Sequence, residues 1–531
     1  MKARPFLAAV LAAAVALLSC GAGGWWLLWQ RGPLALQHQP LALPLAARFV
    51  PRTAPLSLHW RLAPDQPAAY ARAVAGPRQR RAAAAGAERL RDGAFAAAGL
   101  DYPTELASWL GHESSFALLT PLGSEERPGW VLALRSRDSE GARRFLQRFW
   151  QTRSLAGTDL QISSYRGMGL ISGRGALVGR EPQPLATALV HDDLVLIASG
   201  RGVLEQALDV SQIDELNQAA SAALQQAVDR LGHGVALLTA RPQAMQQWLG
   251  LPMLEGEEAA AIELVAALSP AGAGLDVAGL TQLRQPLPPL TAATGQLLQQ
   301  LQQPASSLAL LSQPARVLDD AAAANPWASL LGPLLRQALE RASGPMPALV
   351  ASADQGPLLW AQQPEGWLLG TRPDAPPLEE LQPALTAQGF SASLLQSRGR
   401  SLDAWTRLES RPVKGNPDRL EAQLAGARAV ENGWAWWGQG LAVLSEQHDG
   451  HRPPQARLAQ LEALGSPDAP FQWAMDGATA QALLGDWQPW RLLSTRSATP
   501  LTPLLEGAAL SLEPDAADSR ALRLRAQLEL H

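Results

Sequence analysis

A chain of 531 residues with 44 Lys and Arg against 48 Asp and Glu has a formal charge of −4, so it lacks the cationic excess that a nucleic-acid partner demands. Its composition, 47% hydrophobic and 17% charged, excludes a disordered chain, and the length suits about three domains. The single cysteine, Cys20, excludes a disulfide framework and any multi-cysteine zinc or iron–sulfur site.

Pro5 to Trp29 contains no charged side chain, with Lys2 and Arg4 before it and Arg31 after it. Such a run exceeds a signal-peptide core and meets the length of about 20 residues needed to span a bilayer. Trp25, Trp26 and Trp29 close it, where indoles favour the headgroup layer. Residues 1–30 are therefore expected to form a membrane anchor or signal segment. Lys2 and Arg4 hold the N-terminus in the cytoplasm and send the body across the membrane. A second reading remains open. Leu17-Leu18-Ser19-Cys20 resembles a lipobox, which makes Cys20 a candidate for lipidation. A cleaved, secreted form is the third.

Residues 31–46 form a Pro- and Leu-rich linker. Strand character begins at Ala54–Trp60, and Pro67–Gly99 reads as helix broken near Gly76-Pro77. A short helix is expected from Leu100 to Leu110. Asp138–Gln151 is the strongest helix: Ala142, Phe145, Leu146, Phe149 and Trp150 share one face behind an Asp138 cap.

The order then recurs. Gly-Trp-Val-Leu-Ala-Leu-Arg (129–135) matches Gly-Trp-Leu-Leu-Gly-Thr-Arg (366–372), and each runs through an Asp into a helix. The run 194–199 is paired with 441–446, each read as the second strand of a hairpin. Trp248-Leu249-Gly250 is paired with Leu483-Leu484-Gly485, and Ala266–Ser269 with Ala508–Ser511. These matches predict two related modules, 47–283 and 291–531, about the Pro-rich junction 284–290. A Gln-rich helix, Thr291–Gln303, is expected to open the second. In the last strand Leu522, Leu524, Ala526, Leu528 and Leu530 alternate with polar residues, as antiparallel sheets permit. The expected fold class is α+β: a transmembrane helix, then two tandem, mostly antiparallel sheet modules with packed helices.

Ala47–Leu56 (Ala-Arg-Phe-Val-Pro-Arg-Thr-Ala-Pro-Leu), Trp109-Leu110-Gly111, Phe116-Ala117-Leu118 and the Gly-Trp-Val-Leu-Ala-Leu strand carry a family likeness. On these residues the chain resembles the cyanobacterial family of uncharacterised proteins catalogued as domain of unknown function 3352. The resemblance implies an N-terminal anchor and a body in the periplasm or thylakoid lumen. It implies no activity and no catalytic residues.

Common catalytic signatures are missing from the sequence. Gly200-Arg201-Gly202 follows a strand, but Glu205 stands at the third glycine position and opposes a pyrophosphate, so a tight strand-to-helix turn is expected. His448, Asp449 and His451 fall short of a closed metal site and read as a solvated loop; His112-Glu113 and His191-Asp192-Asp193 read as turns. Glu255, Glu257, Glu258, Glu379 and Glu380 suit helix starts. Arg78, Arg80, Arg81, Arg89 and Arg91 form either a solvated helix face or a contact for anionic lipid. Trp434 and Trp436 share one strand face, with Trp437 on the other, and are either core indoles or an exposed binding platform.

No catalytic, cofactor-binding or metal residue is assigned, and no cofactor is expected. The favoured function is membrane-anchored, extracytoplasmic binding or scaffolding of an unknown protein or lipid partner, through an inter-repeat cleft or an aromatic patch. The alternatives are an extracytoplasmic hydrolase with a carboxylate or His site, and a lipid- or sugar-binding module.

Overall fold

A computed structural model describes residues 32–530 apart from 121–127, 155–159, 176–182, 250–260, 291–294, 319–325, 341–348, 351–355, 375–377, 388, 398–399, 414–415, 450–454, 486, 488–489, 492–494 and 496–504. The expected anchor, with Cys20, Trp25, Trp26 and Trp29, lies outside the described residues. Among the described residues no helix is long and apolar enough to cross a membrane.

The chain is α+β. Its first half runs β1 (Leu56–Trp60), α1 (Gln66–Val74), α2 (Arg80–Ala97), β2 (Leu110–Leu119), β3 (Gly129–Ser136), α3 (Ser139–Ser154), β4 (Gln161–Tyr165), β5 (Met168–Gly175), β6 (Gln183–Val190) and β7 (Leu194–Ala198). It continues with α4 (Arg201–Gln212), α5 (Ala222–Leu231), β8 (Ala236–Ala240), α6 (Pro242–Gln247), β9 (Ala261–Ala271) and β10 (Gly274–Leu283). A short helix, α7 (Gly295–Gln299), opens the second half, shorter than the expected Thr291–Gln303. Then come β11 (Ser307–Leu311), α8 (Pro314–Leu318), α9 (Pro326–Glu340), β12 (Leu358–Gln363), β13 (Gly366–Thr371), α10 (Leu378–Ala387), β14 (Ser391–Ser397), β15 (Arg400–Val413) and β16 (Asn416–Glu431). The half ends with β17 (Trp434–Gly438), α11 (Leu441–Asp449), α12 (Gln455–Ala463), β18 (Phe471–Asp476), α13 (Gly477–Gly485), β19 (Leu505–Asp515) and β20 (Asp518–Leu530).

The strands pair antiparallel in one continuous sheet. In the first half the spatial order is β4-β5-β6-β7-β3-β2-β1-β8-β9-β10. From the opposite edge inward, the second half runs β14-β15-β16-β17-β13-β12-β11-β18-β19-β20. Each strand of the second half holds the place of the strand ten earlier. The halves join where β10 pairs β20, from Leu275 opposite Leu528 to Gln282 opposite Ala521. Instead of two separate sheets, a main-chain ladder runs through the junction, so no cleft opens between the halves along this seam.

Register makes the correspondence residue by residue. Val131 and Leu368 occupy the same place in the two Gly-Trp strands. Val131 lies opposite Ala117, and Ala117 opposite Ser57. Leu368 lies opposite Ala361, and Ala361 opposite Leu308. Ser57 therefore corresponds to Leu308 and His59 to Leu310. On the other side Val131 meets Ala198 and Leu368 meets Gly438, which equates β7 with β17. The next residues agree: Ser199 Oγ accepts from the Trp130 N–H at 2.8 Å, and Gln439 Oε1 from the Trp367 N–H at 3.2 Å.

This corrects one sequence pairing. Residues 441–446 form helix α11, not a strand, and the partner of 194–198 is Trp434–Gly438. Gly438-Gln439-Gly440 is a strand-to-helix turn like Ser199-Gly200, not a hairpin. His112-Glu113 is also not a turn. It lies in β2, where a register shift between Leu110 and Ser114 exposes His112 and turns Glu113 inward between Arg61 and Arg135.

Two layers cover the sheet. Helix α3 buries the predicted face, Ala142, Phe145, Leu146, Phe149 and Trp150, against Leu132, Leu134, Val195 and Ile197. The same sheet face continues into a core shared by both halves, where Leu56, Leu118 and Leu264 join Trp327, Trp367 and Trp437. On the opposite face α4 closes one core in the first half, and α7, α11 and α12 close its counterpart in the second.

Candidate binding cleft

Five positions on or under α4 are apolar and closed. Val190, Leu194, Leu196, Ala207 and Leu208 are each buried in the first-half core. Strand pairing puts Glu431, Trp434 and Trp436 at the places of Val190, Leu194 and Leu196, and the same offset carried into the following helix puts Gln447 and His448 at those of Ala207 and Leu208. Of these, Glu431, Trp436, Gln447 and His448 line an open cleft of about 690 Å³, a volume within the range of small-molecule sites.

Three adjacent strands supply the floor: Leu402 on β15, Ala429 and Glu431 on β16, and Trp436 on β17. Gln300 and Gln302, just past α7, form one wall, and Gln447 and His448 at the end of α11 form the other. Gln447 locks the walls together. Its Nε2 donates to the Gln300 carbonyl at 2.7 Å, and its Oε1 accepts from the Gln302 N–H at 3.0 Å. His448 Nδ1 donates to Glu431 Oε2 at 3.2 Å, which leaves Nε2 as the ring's second polar atom. Exposed Ser401 and Asn432 complete the rim. The set offers amide donors and acceptors, one carboxylate and one imidazole, so it suits a small ligand rich in hydrogen-bonding groups.

Trp434 and Trp436 do not form an exposed platform. Trp436 is 3% exposed, packed with Val443 and Leu444 of α11, and Trp434 is half-buried beside it. The strand face they share is the one that α11 covers. Trp437, on the other face, stacks on Trp405 at 5.0 Å.

The first half carries its own polar exception, deep inside. His59 Nε2 donates to Gln218 Oε1 at 2.9 Å, and Nδ1 accepts from the Ser115 hydroxyl at 3.0 Å. Ser57 and Thr239 join hydroxyls at 2.7 Å, and Gln218 Nε2 donates to Thr239 at 3.2 Å. The Phe-Val-Pro-Arg segment positions Gln218: the Val50 carbonyl accepts from the Gln218 N–H at 2.9 Å, and Arg52 holds the Asn217 and Ala220 carbonyls. In the second half Ser57, His59, Ser115 and Thr239 are replaced by Leu308, Leu310, Leu359 and Ala474. The network is sealed from solvent, so its role is structural. Burial lowers the His59 pKa from 6.5 to about 4, against the Gln218 hydrogen bond that favours the charged ring.

The consequence is acid lability. The unfolded chain takes up the proton near pH 6.5 and the folded one only near 4, so this contribution is intact above 6.5 and lost as pH falls to 4. At about 1.4 kcal/mol per unit the loss is about 3 kcal/mol. Urea midpoints measured across that range should drop steeply for the native sequence and more gently for His59→Leu, although that variant starts less stable. Parallel slopes would show that His59 is not the group responsible.

Other sequence candidates sort plainly. Gly200 is a strand-to-helix turn with φ 135°, and Glu205 pairs with Arg201 at 2.7 Å. His191 and Asp192 are turn residues with positive φ. Glu255, Glu257, Glu258 and His451 lie outside the described residues. Among the described residues no group of three or more His, Cys, Asp or Glu could hold a metal ion. Burial raises the pKa of Glu263, with Arg241 opposing, and of Asp276, with the Gln527 hydrogen bond opposing. Their rungs on the β9–β10 hairpin are six residues, about 20 Å, apart, too far for a glycosidase pair.

The family described as "Protein of unknown function (DUF3352)" matches residues 10–462. The chain belongs to this family. The DUF3352 match covers the first half and runs into α12 of the second, so it contains the whole cleft, from Gln300 to His448. No curated protein matches the chain. Among solved structures, "Structure of crystal form I of TP0453" is 9% identical, with a TM-score of 0.28, covering 46% of this chain and 81% of that chain. Crystal form III of TP0453 is 10% identical, with a TM-score of 0.26, covering 46% and 80%. Scores this low do not define a shared fold.

Proposed function

We propose that this DUF3352 protein is a membrane-anchored, extracytoplasmic binding or scaffolding protein, and that the second-half cleft holds its ligand. The observation that carries the reading is the exchange of three closed apolar positions, Val190, Ala207 and Leu208, for Glu431, Gln447 and His448, which meet in one cleft. Apolar side chains would close this space, as Val190, Ala207 and Leu208 do in the first half. In this reading the two halves are tandem copies of one module. Residues 1–30 anchor it, with Trp25, Trp26 and Trp29 at the interface, or tether it through lipidated Cys20. The family resemblance adds a cyanobacterial source and a periplasmic or lumenal body.

The test is a thermal-shift panel of sugars, amino acids and dicarboxylates on the full chain. Ligands that raise the native midpoint should leave Glu431→Val, Gln447→Ala, His448→Leu unmoved. Equal shifts in both proteins would move the site elsewhere.

Hydrolysis is the second reading. It is favoured by the His448 Nδ1–Glu431 pair with exposed Ser401 on the same rim, an acid, base and hydroxyl in one cleft. Fluorophosphonate labelling of Ser401 that disappears in His448→Ala would support it, and an unlabelled Ser401 would leave binding as the function.

A further inference from the structure

We infer that the α1–α2 hairpin docks on the headgroups of an anionic bilayer, the membrane that holds the N-terminal segment. The inference rests on the anchor reading given above. Residues 66–97 contain six arginines against two carboxylates, Glu88 and Asp92, in a chain whose overall charge is −4. Arg91 is fixed by Asp65 at 3.0 Å and Asp92 at 2.9 Å, over the Tyr102 ring. Arg72, Arg78, Arg80, Arg81 and Arg89 are exposed, and no carboxylate pairs with them among the described residues.

Where the fold begins places this patch. The turn Pro33–His38 packs on α1: Leu36 is buried with Tyr70, Leu34 and Val74 border them, and Gln37 Nε2 donates to Tyr70 Oη at 2.8 Å. Trp29, the last indole of the uncharged run, is three residues before Gly32, so covalent reach keeps it within about 10 Å of that site. A bilayer surface at Trp29 thus lies beside α1, the helix that carries Arg72 and leads through the turn into the other four exposed arginines. Charge complementarity and the short tether point to lipid phosphate as the occupant.

The test uses the full chain in nanodiscs of phosphatidylglycerol or phosphatidylcholine, with phenylglyoxal modification of arginines read by peptide mass spectrometry. Arg72, Arg78, Arg80, Arg81 and Arg89 should react about fivefold or more slowly in phosphatidylglycerol, and lose that protection in about 0.5 M salt. Exposed Arg520, at the far turn, is the control and should react alike in both. Equal rates for the five in the two lipids overturn the inference. So does protection that appears only with added polyglutamate, which would make an acidic protein the occupant. Entry of the chain into discs of either lipid reports the anchor separately. A chain that stays out of discs but pellets with phosphatidylglycerol vesicles, and ceases to when the five arginines become Gln, keeps the docking and discards the anchor. A chain that does neither overturns both.

Discussion

Asp515→Ala should destabilise the protein by about 3 kcal/mol, the cost expected when one partner leaves a buried ion pair. The Asp515 side chain is 1% exposed at the β19–β20 turn. One oxygen accepts from Arg523 at 2.6 and 3.0 Å; the other accepts from the Ala517 N–H at 3.0 Å and from Arg230. Arg230 belongs to α5, so this one carboxylate ties the first half to the second. Burial alone would raise its pKa, but the bonds from Arg523, the Ala517 N–H and Arg230 outweigh it and hold the pKa below the ordinary 3.8. Its stabilisation is therefore present above pH 3.8 and is lost as the pH falls through the lowered value. Denaturant unfolding near neutral pH should show the full difference between native and variant chains, and the difference should shrink in stronger acid. A neutral-pH difference under about 1 kcal/mol would place the triad among weak surface pairs.

Trp327→Ala should cost about 3–5 kcal/mol, the range for truncating a fully buried indole. Trp327 is 0% exposed at the start of α9, and its Nε1 donates to the Pro288 carbonyl at 3.0 Å in the junction. It belongs to the core that takes Leu56, Leu118 and Leu264 from one half and Trp367 and Trp437 from the other. The loss should therefore appear in both halves: amide exchange in β1 and β2 should accelerate together with that in β12 and β13. Acceleration confined to the second half would mean that the shared core does not couple them.

The fold was legible where the sequence pattern is local and strong. The Asp138–Gln151 helix and the two Gly-Trp strands lie where their apolar spacing puts them. Residues 441–446 were misread because a short apolar run fits a strand or a helix equally, and Gly-Gln-Gly before it imitates a hairpin turn. His112-Glu113 was misread because a bulge gives no local signal. His59 stands between Leu58 and Trp60 and looks like an ordinary strand residue; its partners Ser115, Gln218 and Thr239 come from distant segments. The cleft was hidden for the same reason, since its walls come from 300–302, 401–402, 429–436 and 447–448. One signal was available. Once the halves are aligned by strand register, the His59 network faces Leu308, Leu310, Leu359 and Ala474, and Glu431 faces Val190, although other exchanges, such as Gln363 for Leu119 and Gln472 for Leu237, fall elsewhere in the sheet.

Hydrogen–deuterium exchange on the full chain, with and without the small molecule giving the largest thermal shift, tests the binding account most directly. The first half is the internal control. Protection at 300–302, 429–436 and 445–448, with no change in the matching segments 188–196 and 205–208, is the predicted result. Protection in the first half, or none in the cleft segments, would contradict it.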